Sequence, residues 1–276
     1  MSPETPPTLR AVTANIFAHN ADWPDRLNVL RDAFRELDPD IVCLQETVLG
    51  DGIDSARDVL GSDYDIVHSE IRADDGVGIS LASRWPITSS DELELKPVSN
   101  RTADFNCTTL IATIEAPAPF GAVAIANHFP DYQVDHEYER ERQTAIAATT
   151  LRHYAESNDH VLLMGDLDAE IDSTSLLFLS GKRSHAGTSV CYVNAFDAVH
   201  PGEPGHTFTP DNPLCPRHWP YRRIDHIFIR CGTNGQPTLG IVDCQVVLDQ
   251  PVNGVWPSDH FGVMADFRPL TPEEAR

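Results

Sequence analysis

Val161-Leu-Leu-Met-Gly165-Asp166-Leu-Asp168-Ala-Glu170 is the stretch on which the reading of this chain turns. Four apolar residues in a row read as a buried strand. Gly165 at its end permits a sharp turn that delivers two carboxylates, Asp166 and Asp168, to a surface cleft. Taken alone, the segment reads equally well as a solvated acidic loop, since acidic turns after strands are common. Four other segments end in the same manner: Ile41-Val-Cys-Leu-Gln45-Glu46, Ala124-Ile-Ala-Asn127-His128, Arg223-Ile-Asp225-His226 and Pro257-Ser-Asp259-His260. Repetition of the pattern favours strands whose exits carry chemistry.

Working outward, short apolar runs at 9–16, 41–44, 78–82, 108–114, 122–126, 161–164, 224–229, 244–248 and 262–267 read as strands. Helical periodicity covers Pro24 to Leu37, with Leu27, Leu30, Phe34 and Leu37, and Glu137 to Glu156, with Ile146, Leu151 and Tyr154 on one side. The class is therefore α/β. The connection Ala116 to Gly121 is too short for a crossover helix, so part of the sheet must be antiparallel. With no linker or repeat, one domain is expected over 9–270, with a flexible tail at 1–8 and another tail at 271–276. The stretch Lys182 to Arg222 reads as a long irregular loop rich in His, Pro and Gly, a kind of segment that is usually functional or mobile.

With 276 residues, of which 41 % are hydrophobic and 22 % charged, the chain can bury a deep core without staples. No run reaches the roughly 18 apolar residues of a membrane span, and the start is neither basic nor apolar enough for a signal peptide. The expected location is the cytoplasm and the expected state a monomer. Six scattered cysteines show no Cys-x-x-Cys pair, and Cys43 reads as a small core residue. The formal charge of −22 repels polyanions at long range, which disfavours nucleic acid as partner, although Arg217, Arg222 and Arg223 cluster locally.

In their order and settings, Thr13-Ala-Asn15, Leu44-Gln-Glu46, Gly78-Ile-Ser80, Ser83-Arg-Trp-Pro-Ile87, Asn127-His128, Gly165-Asp-Leu-Asp168, Arg223-Ile-Asp225 and Ser258-Asp-His260 resemble the endonuclease/exonuclease/phosphatase superfamily, the DNase I-like fold. The resemblance runs over nearly the whole chain. It implies a four-layer sandwich of two mixed β-sheets flanked by helices, with a site across the sheet edges where a divalent cation assists phosphoester hydrolysis. The residues also ask for a cation. Two carboxylates about 4 Å apart repel by roughly 4 kcal/mol at an effective dielectric of 20, and hard oxygen ligands point to Mg²⁺ or Mn²⁺.

Glu46 is the first expected metal ligand, with Asn15 and Asp259 beside it. The resemblance makes His260 the essential histidine, Asp225 the carboxylate that orients it, and Asp166 the group that prepares the attacking water, while His128 joins His260 in stabilising the transition state. Each has an ordinary reading as well: Asn15 as a turn cap, His128 as a hydrogen-bonded strand-end histidine. His226 is expected to pack beside the site, and His19, His68 and His153 to lie on the surface. Asp168 stands where most members carry Asn. Three readings of Asp168 stay open, a second metal ligand, a protonated acid, or a carboxylate facing a donor or positive group of the substrate, with metal or water binding preferred.

For the substrate, Arg101 and Arg223, or Arg222, are candidate phosphate grips. The segment Gly205 to Asn212 places an aromatic and several polar groups nearby without indicating a ligand. The leading expectation is a metal-dependent phosphoesterase acting on a small-molecule or lipid-like phosphoester. The alternatives are a nuclease or nucleic-acid end-processing phosphodiesterase, and a non-catalytic or recruited member of the fold.

Overall fold

The computed structural model describes residues 7–102, 106–271 and 273–274, so the expected tails fall in good part outside the described residues. Two mixed β-sheets lie face to face, and helices cover their outer sides. Strands β1 (Leu9–Asn15), β2 (Ile41–Gly50), β3 (Ile53–Asp54), β4 (Asp65–His68) and β5 (Val77–Ser83) belong to the first sheet. β6 (Ile87–Glu94), β7 (Thr108–Ala116), β8 (Gly121–Phe129), β9 (His160–Asp166), β10 (Tyr192–Asn194) and β11 (Asp225–Arg230) make the second, and β12 (Gly240–Val247) and β13 (Gly262–Arg268) return to the first. The orders are β12-β13-β1-β2-β5-β4, with β3 attached to β2, and β10-β11-β9-β8-β7-β6. β1 pairs with β2, and β8 with β9, in parallel; the other pairings are antiparallel.

The central strands are near-continuous apolar runs because both of their faces are covered. Between the sheets, Leu9, Ile41, Ile79 and Leu81 meet Leu110, Ile125, Leu162, Met164 and Ile227, and Cys43 takes its expected place there. Outside the first sheet, α1 (Trp23–Leu37) and α2 (Ser55–Leu60) pack Leu30, Phe34 and Val59 onto Val12, Val42 and Leu44. Outside the second, α3 (Glu137–Tyr154) and α4 (Thr174–Leu179) cover Ile111, Ala126, Leu163 and Phe228. Helix α1 starts as its sequence directs, with Pro24 in the first turn, and stops at Asp38, which adopts a left-handed backbone (φ 48°).

Three expectations change. Ile146 is 40 % exposed, because α3 lies close to the sheet and buries Thr144, Ala145, Ala147, Ala148 and Leu151 instead. His19 and His68 are half-buried: His19 stacks on Trp23 at 4.6 Å, and His68 sits between Ser80 and Asp54. The Lys182 to Arg222 stretch is partly ordered by β10 and by a fifth helix, α5 (Ala195–Val199), which packs on β12.

Candidate active site

The site forms where strand ends of both sheets converge. β9 and β11 run antiparallel in a register that sets Asp166 opposite Asp225. A break in the β2–β5 register between Leu44 and Thr47 leaves Gln45 and Glu46 as a bulge, and Glu46 adopts φ 54°. A bulge re-aims side chains, and here it turns Glu46 into the cleft while Gln45 points between the sheets. Gly165 makes the turn at the end of β9 possible. Its φ is 151°, and a Cβ there would sit 2.1 Å from the His128 carbonyl oxygen. Asp168 follows in a left-handed conformation (φ 49°), so two of the cleft carboxylates stand on strained backbone.

The cleft encloses about 400 Å³. Glu46, Asp166, Asp168, Asp259, His260 and Arg222 supply its polar surface, and Phe129, Tyr132, Phe208, Pro216, Trp219 and Ile224 its apolar walls. His260 Nδ1 donates to Asp225 Oδ2 at 3.0 Å, and its Nε2 stands 3.7 Å from Asp166 Oδ2. Burial alone would depress the His260 pKa, but Asp166, Asp225 and Asp259 together hold it well above the usual imidazole value. The result is a charged imidazole in the cleft at neutral pH. Burial pushes Asp225 up to about 6 against the pull of His260, so it remains largely ionised at that pH.

Asn15 links the sheets across this floor. Its Nδ2 donates to Glu46 Oε1 at 3.0 Å and to Asp166 Oδ2 at 3.1 Å, while its own oxygen accepts the Phe17 N–H at 2.9 Å. In this arrangement Asn15 therefore presents its amide N–H, and not its oxygen, to the carboxylates. Glu46 is pushed up to about 7, chiefly by burial and then by Asp259 and Asp166. Asp259 is raised by burial, and Asp168 is raised well above the carboxylate range by burial and by Asp166. Such crowding of acids is what a bound cation relieves.

Among the described residues, ligand atoms of Asp166, Asp225 and His260 lie within 4.8 Å of one another. Asp225 and His260 are already engaged with each other, and Asp166 is held by Asn15 and the Asp168 N–H, which leaves the oxygens of Glu46 and Asp259 for an ion. That donor set is hard and anionic, and it fits Mg²⁺ or Mn²⁺ better than zinc.

Other candidates lie elsewhere. His128 is fully buried behind the cleft, its Nδ1 2.7 Å from Thr109 Oγ1 and its Nε2 3.3 Å from Thr144 Oγ1, and burial lowers its pKa to about 3. It does not line the cavity. His226 packs beside the site as expected: Nε2 donates to the carbonyls of Ala169 and Arg223, and burial lowers its pKa to about 3. Arg101 pairs with Asp135 and Glu139, and the Arg223 guanidinium turns onto Asp197 and Phe196; neither lines the cavity. Arg222 does. Its Nη2 donates to the Asp168 carbonyl at 2.7 Å, while its buried Nη1 has no hydrogen-bond partner among the described residues and lies 3.8 Å from Asp168 Oδ1.

The Gly205 to Asn212 segment supplies support that its sequence alone did not reveal. Thr207 Oγ1 accepts the N–H groups of Ile224 and Asp225, and the Thr207 carbonyl accepts that of Phe261 at 2.7 Å. The Phe208 ring lies 4.7 Å from that of His260 and edge-on to Trp219. Asn212 Nδ2 donates to the carbonyls of Ser258 and Asp259. The clue was the threonines, aromatic and asparagine crowded into eight residues.

No match is found among curated proteins. Among solved structures, TDP2 from Caenorhabditis elegans is similar with a TM-score of 0.75 and 19 % identity over 95 % of this chain and 75 % of that one. A humanized D. rerio TDP2 gives 0.73 and 16 % over 95 % and 99 %, and the human Nocturnin catalytic domain with bound sulfate anion 0.73 and 18 % over 96 % of both chains. At such identities these likenesses speak for the fold. The profile of the Endonuclease/Exonuclease/phosphatase family matches residues 12–260. That span begins in β1 and ends on His260, so it holds the second sheet, all of the first but β13 and the start of β1, and the cleft residues from Glu46 to His260: the chain belongs to the endonuclease/exonuclease/phosphatase family and has its phosphoesterase fold.

Proposed function

We propose that the chain is a divalent-metal-dependent hydrolase of a small-molecule phosphoester, cleaving it by in-line attack of an activated water. The observation that carries the reading is the charged His260–Asp225 pair beside Asp166, set in a cleft of about 400 Å³ that has on one side a guanidinium nitrogen without a hydrogen-bond partner among the described residues, and aromatic walls around it. Small-ligand sites are typically concave, largely apolar and of a few hundred Å³.

Glu46 and Asp259 would hold Mg²⁺ or Mn²⁺, with Asn15 fixing the Glu46 and Asp166 carboxylates by its amide N–H groups. When bound, the ion supplies Lewis-acid stabilisation of phosphoryl oxygen charge. The residues do the rest. Arg222, in place of the expected Arg101 and Arg223, grips a phosphoryl oxygen through Nη1. Asp166 accepts a proton from the attacking water. The His260 imidazolium donates a hydrogen bond from Nε2 to the phosphoryl group, where charge accumulates in the transition state, and Asp225 fixes the ring and stabilises its charged form. His128 has no direct part in this scheme and supports β8 from behind. Asp168, 3.8 Å from the guanidinium, is neutralised by Arg222 together with a proton or a cation.

The aromatic walls also suit stacking on an unpaired base, and a D. rerio TDP2 structure is described as complexed with single strand DNA product. The net charge of −22 favours the small ester. Assays with Mg²⁺ or Mn²⁺ on an aryl phosphodiester, an aryl phosphomonoester and labelled single-stranded DNA separate the two. Turnover of an aryl ester that exceeds DNA cleavage and disappears with chelator is expected. Strong metal-dependent DNA cleavage without ester turnover would refute the small-molecule reading.

A further inference from the structure

Away from the cleft, two cysteines face each other at the edge of the second sheet. Cys191 and Cys231 flank the β10–β11 ladder, and the Cys231 N–H donates to the Cys191 carbonyl at 2.9 Å, continuing the register in which Tyr192 opposes Arg230. Their sulfurs lie 3.2 Å apart. Cross-strand neighbours at about 5.5 Å between Cα atoms are within the range a disulfide spans. Cys191 is exposed, whereas Cys43, Cys107, Cys215 and Cys244 are buried.

We propose that Cys191 and Cys231 form a reversible thiol/disulfide site that clamps β10 to β11. The two cysteines are 40 positions apart, and the segment between them carries Thr207, Phe208, Trp219, Arg222 and Asp225, one wall of the cleft and half of its central pair. β10 contributes only three paired residues, so the edge is otherwise held by a short ladder. Burial, reinforced by the neighbouring Cys191, pushes the Cys231 thiol up to about 12, which makes exposed Cys191 the sulfur that an oxidant meets first.

With hydrogen peroxide, the Cys191 sulfur attacks one peroxide oxygen and the O–O bond breaks, giving a sulfenic acid and water. The Cys231 sulfur then attacks that of Cys191; the S–S bond forms, the S–O bond breaks and a second water leaves. Two thiols lose two electrons and two protons, and one peroxide is reduced to two waters. Dithiothreitol reverses the oxidation through thiol–disulfide exchange.

The test uses the full chain, purified with reductant and then treated with dilute peroxide or with glutathione disulfide. Non-reducing peptide mapping is expected to find the Cys191 and Cys231 peptides joined with loss of two hydrogens. The melting temperature should rise by about 5–10 °C, reverting with dithiothreitol. Cys191→Ser, a change at an exposed position, should fold normally and show neither effect. Oxidation of Cys191 to sulfinic acid with Cys231 still free, or cross-linking to another cysteine, would overturn the site. A joined pair with an unchanged melting temperature would overturn the clamp.

Discussion

His260 and His128 show how the same side chain takes opposite states within one fold. His260 is surrounded by Asp166, Asp225 and Asp259 and stays charged, whereas the His128 ring bonds, among the described residues, to the Thr109 and Thr144 hydroxyls and stays neutral. His260→Ala should lower kcat by about 10²–10⁴-fold. Adding Asp225→Ala to it should cost little more, because the pair acts as a unit. Steady-state kinetics of the two single variants and the double variant check this; full additivity would contradict it. For His128 the expectation concerns stability. Its folded pKa of about 3 lies below the unfolded value of 6.5, so the folded state binds fewer protons between them. Its contribution is whole above pH 6.5 and is lost as pH falls toward 3, by an amount on the order of several kcal/mol. Urea melts from pH 7 to 4 should show a shallower acid loss in His128→Gln than in the parent. At this scale the sequence named most polar residues of the cleft. It did not separate Arg222 from Arg223, because adjacent residues differ in direction only once the strand's twist and the path of the chain are known.

Elements were legible in proportion to their burial. Central strands announce themselves as apolar runs, but the edge strand β6 reads Ile87-Thr-Ser-Ser-Asp-Glu-Leu-Glu94, with four successive exposed residues, and carries no such signal. Polar and charged edges guard against strand addition, which is also why they escape a hydrophobic reading. β4 and β10, four and three residues long, went unread for the same reason of position. Two element-scale devices hold the cleft. Gly165→Ala would drive a Cβ to 2.1 Å from the His128 carbonyl oxygen at a φ of 151°, so a loss of about 3 kcal/mol or more is expected by chemical denaturation. Asn127 ties the sheets together: its Nδ2 donates to the carbonyls of Leu44 and Ser80, and its Oδ1 accepts from Gln45. Asn127→Leu should cost about 2–4 kcal/mol by leaving these buried groups unpaired, and a change below 0.5 kcal/mol would show that the tie is unimportant.

Across the whole molecule, charge is the governing quantity. A chain of formal charge −22 folds four acids into one cleft, and Glu46 illustrates the consequence. Its folded pKa of about 7 lies above the reference 4.5, so the metal-free folded state holds an extra proton and this site destabilises it progressively as pH rises from 4.5 to 7. Mg²⁺ or Mn²⁺ should therefore raise the melting temperature more at pH 8 than at pH 5.5, and thermal melts with and without chelator decide it; equal shifts would count against the carboxylate site. The amino-acid sequence by itself determined the α/β class, the central strands and the acidic and histidine residues at their exits, because burial leaves a local periodic trace. Tertiary structure alone decided which exits meet. The bulge at Glu46, the Asp166–Asp225 register, the inward turn of Arg222 and the stitching of Thr207 and Asn212 to the His260 segment all depend on contacts between residues far apart in the chain, and no local pattern encodes such contacts.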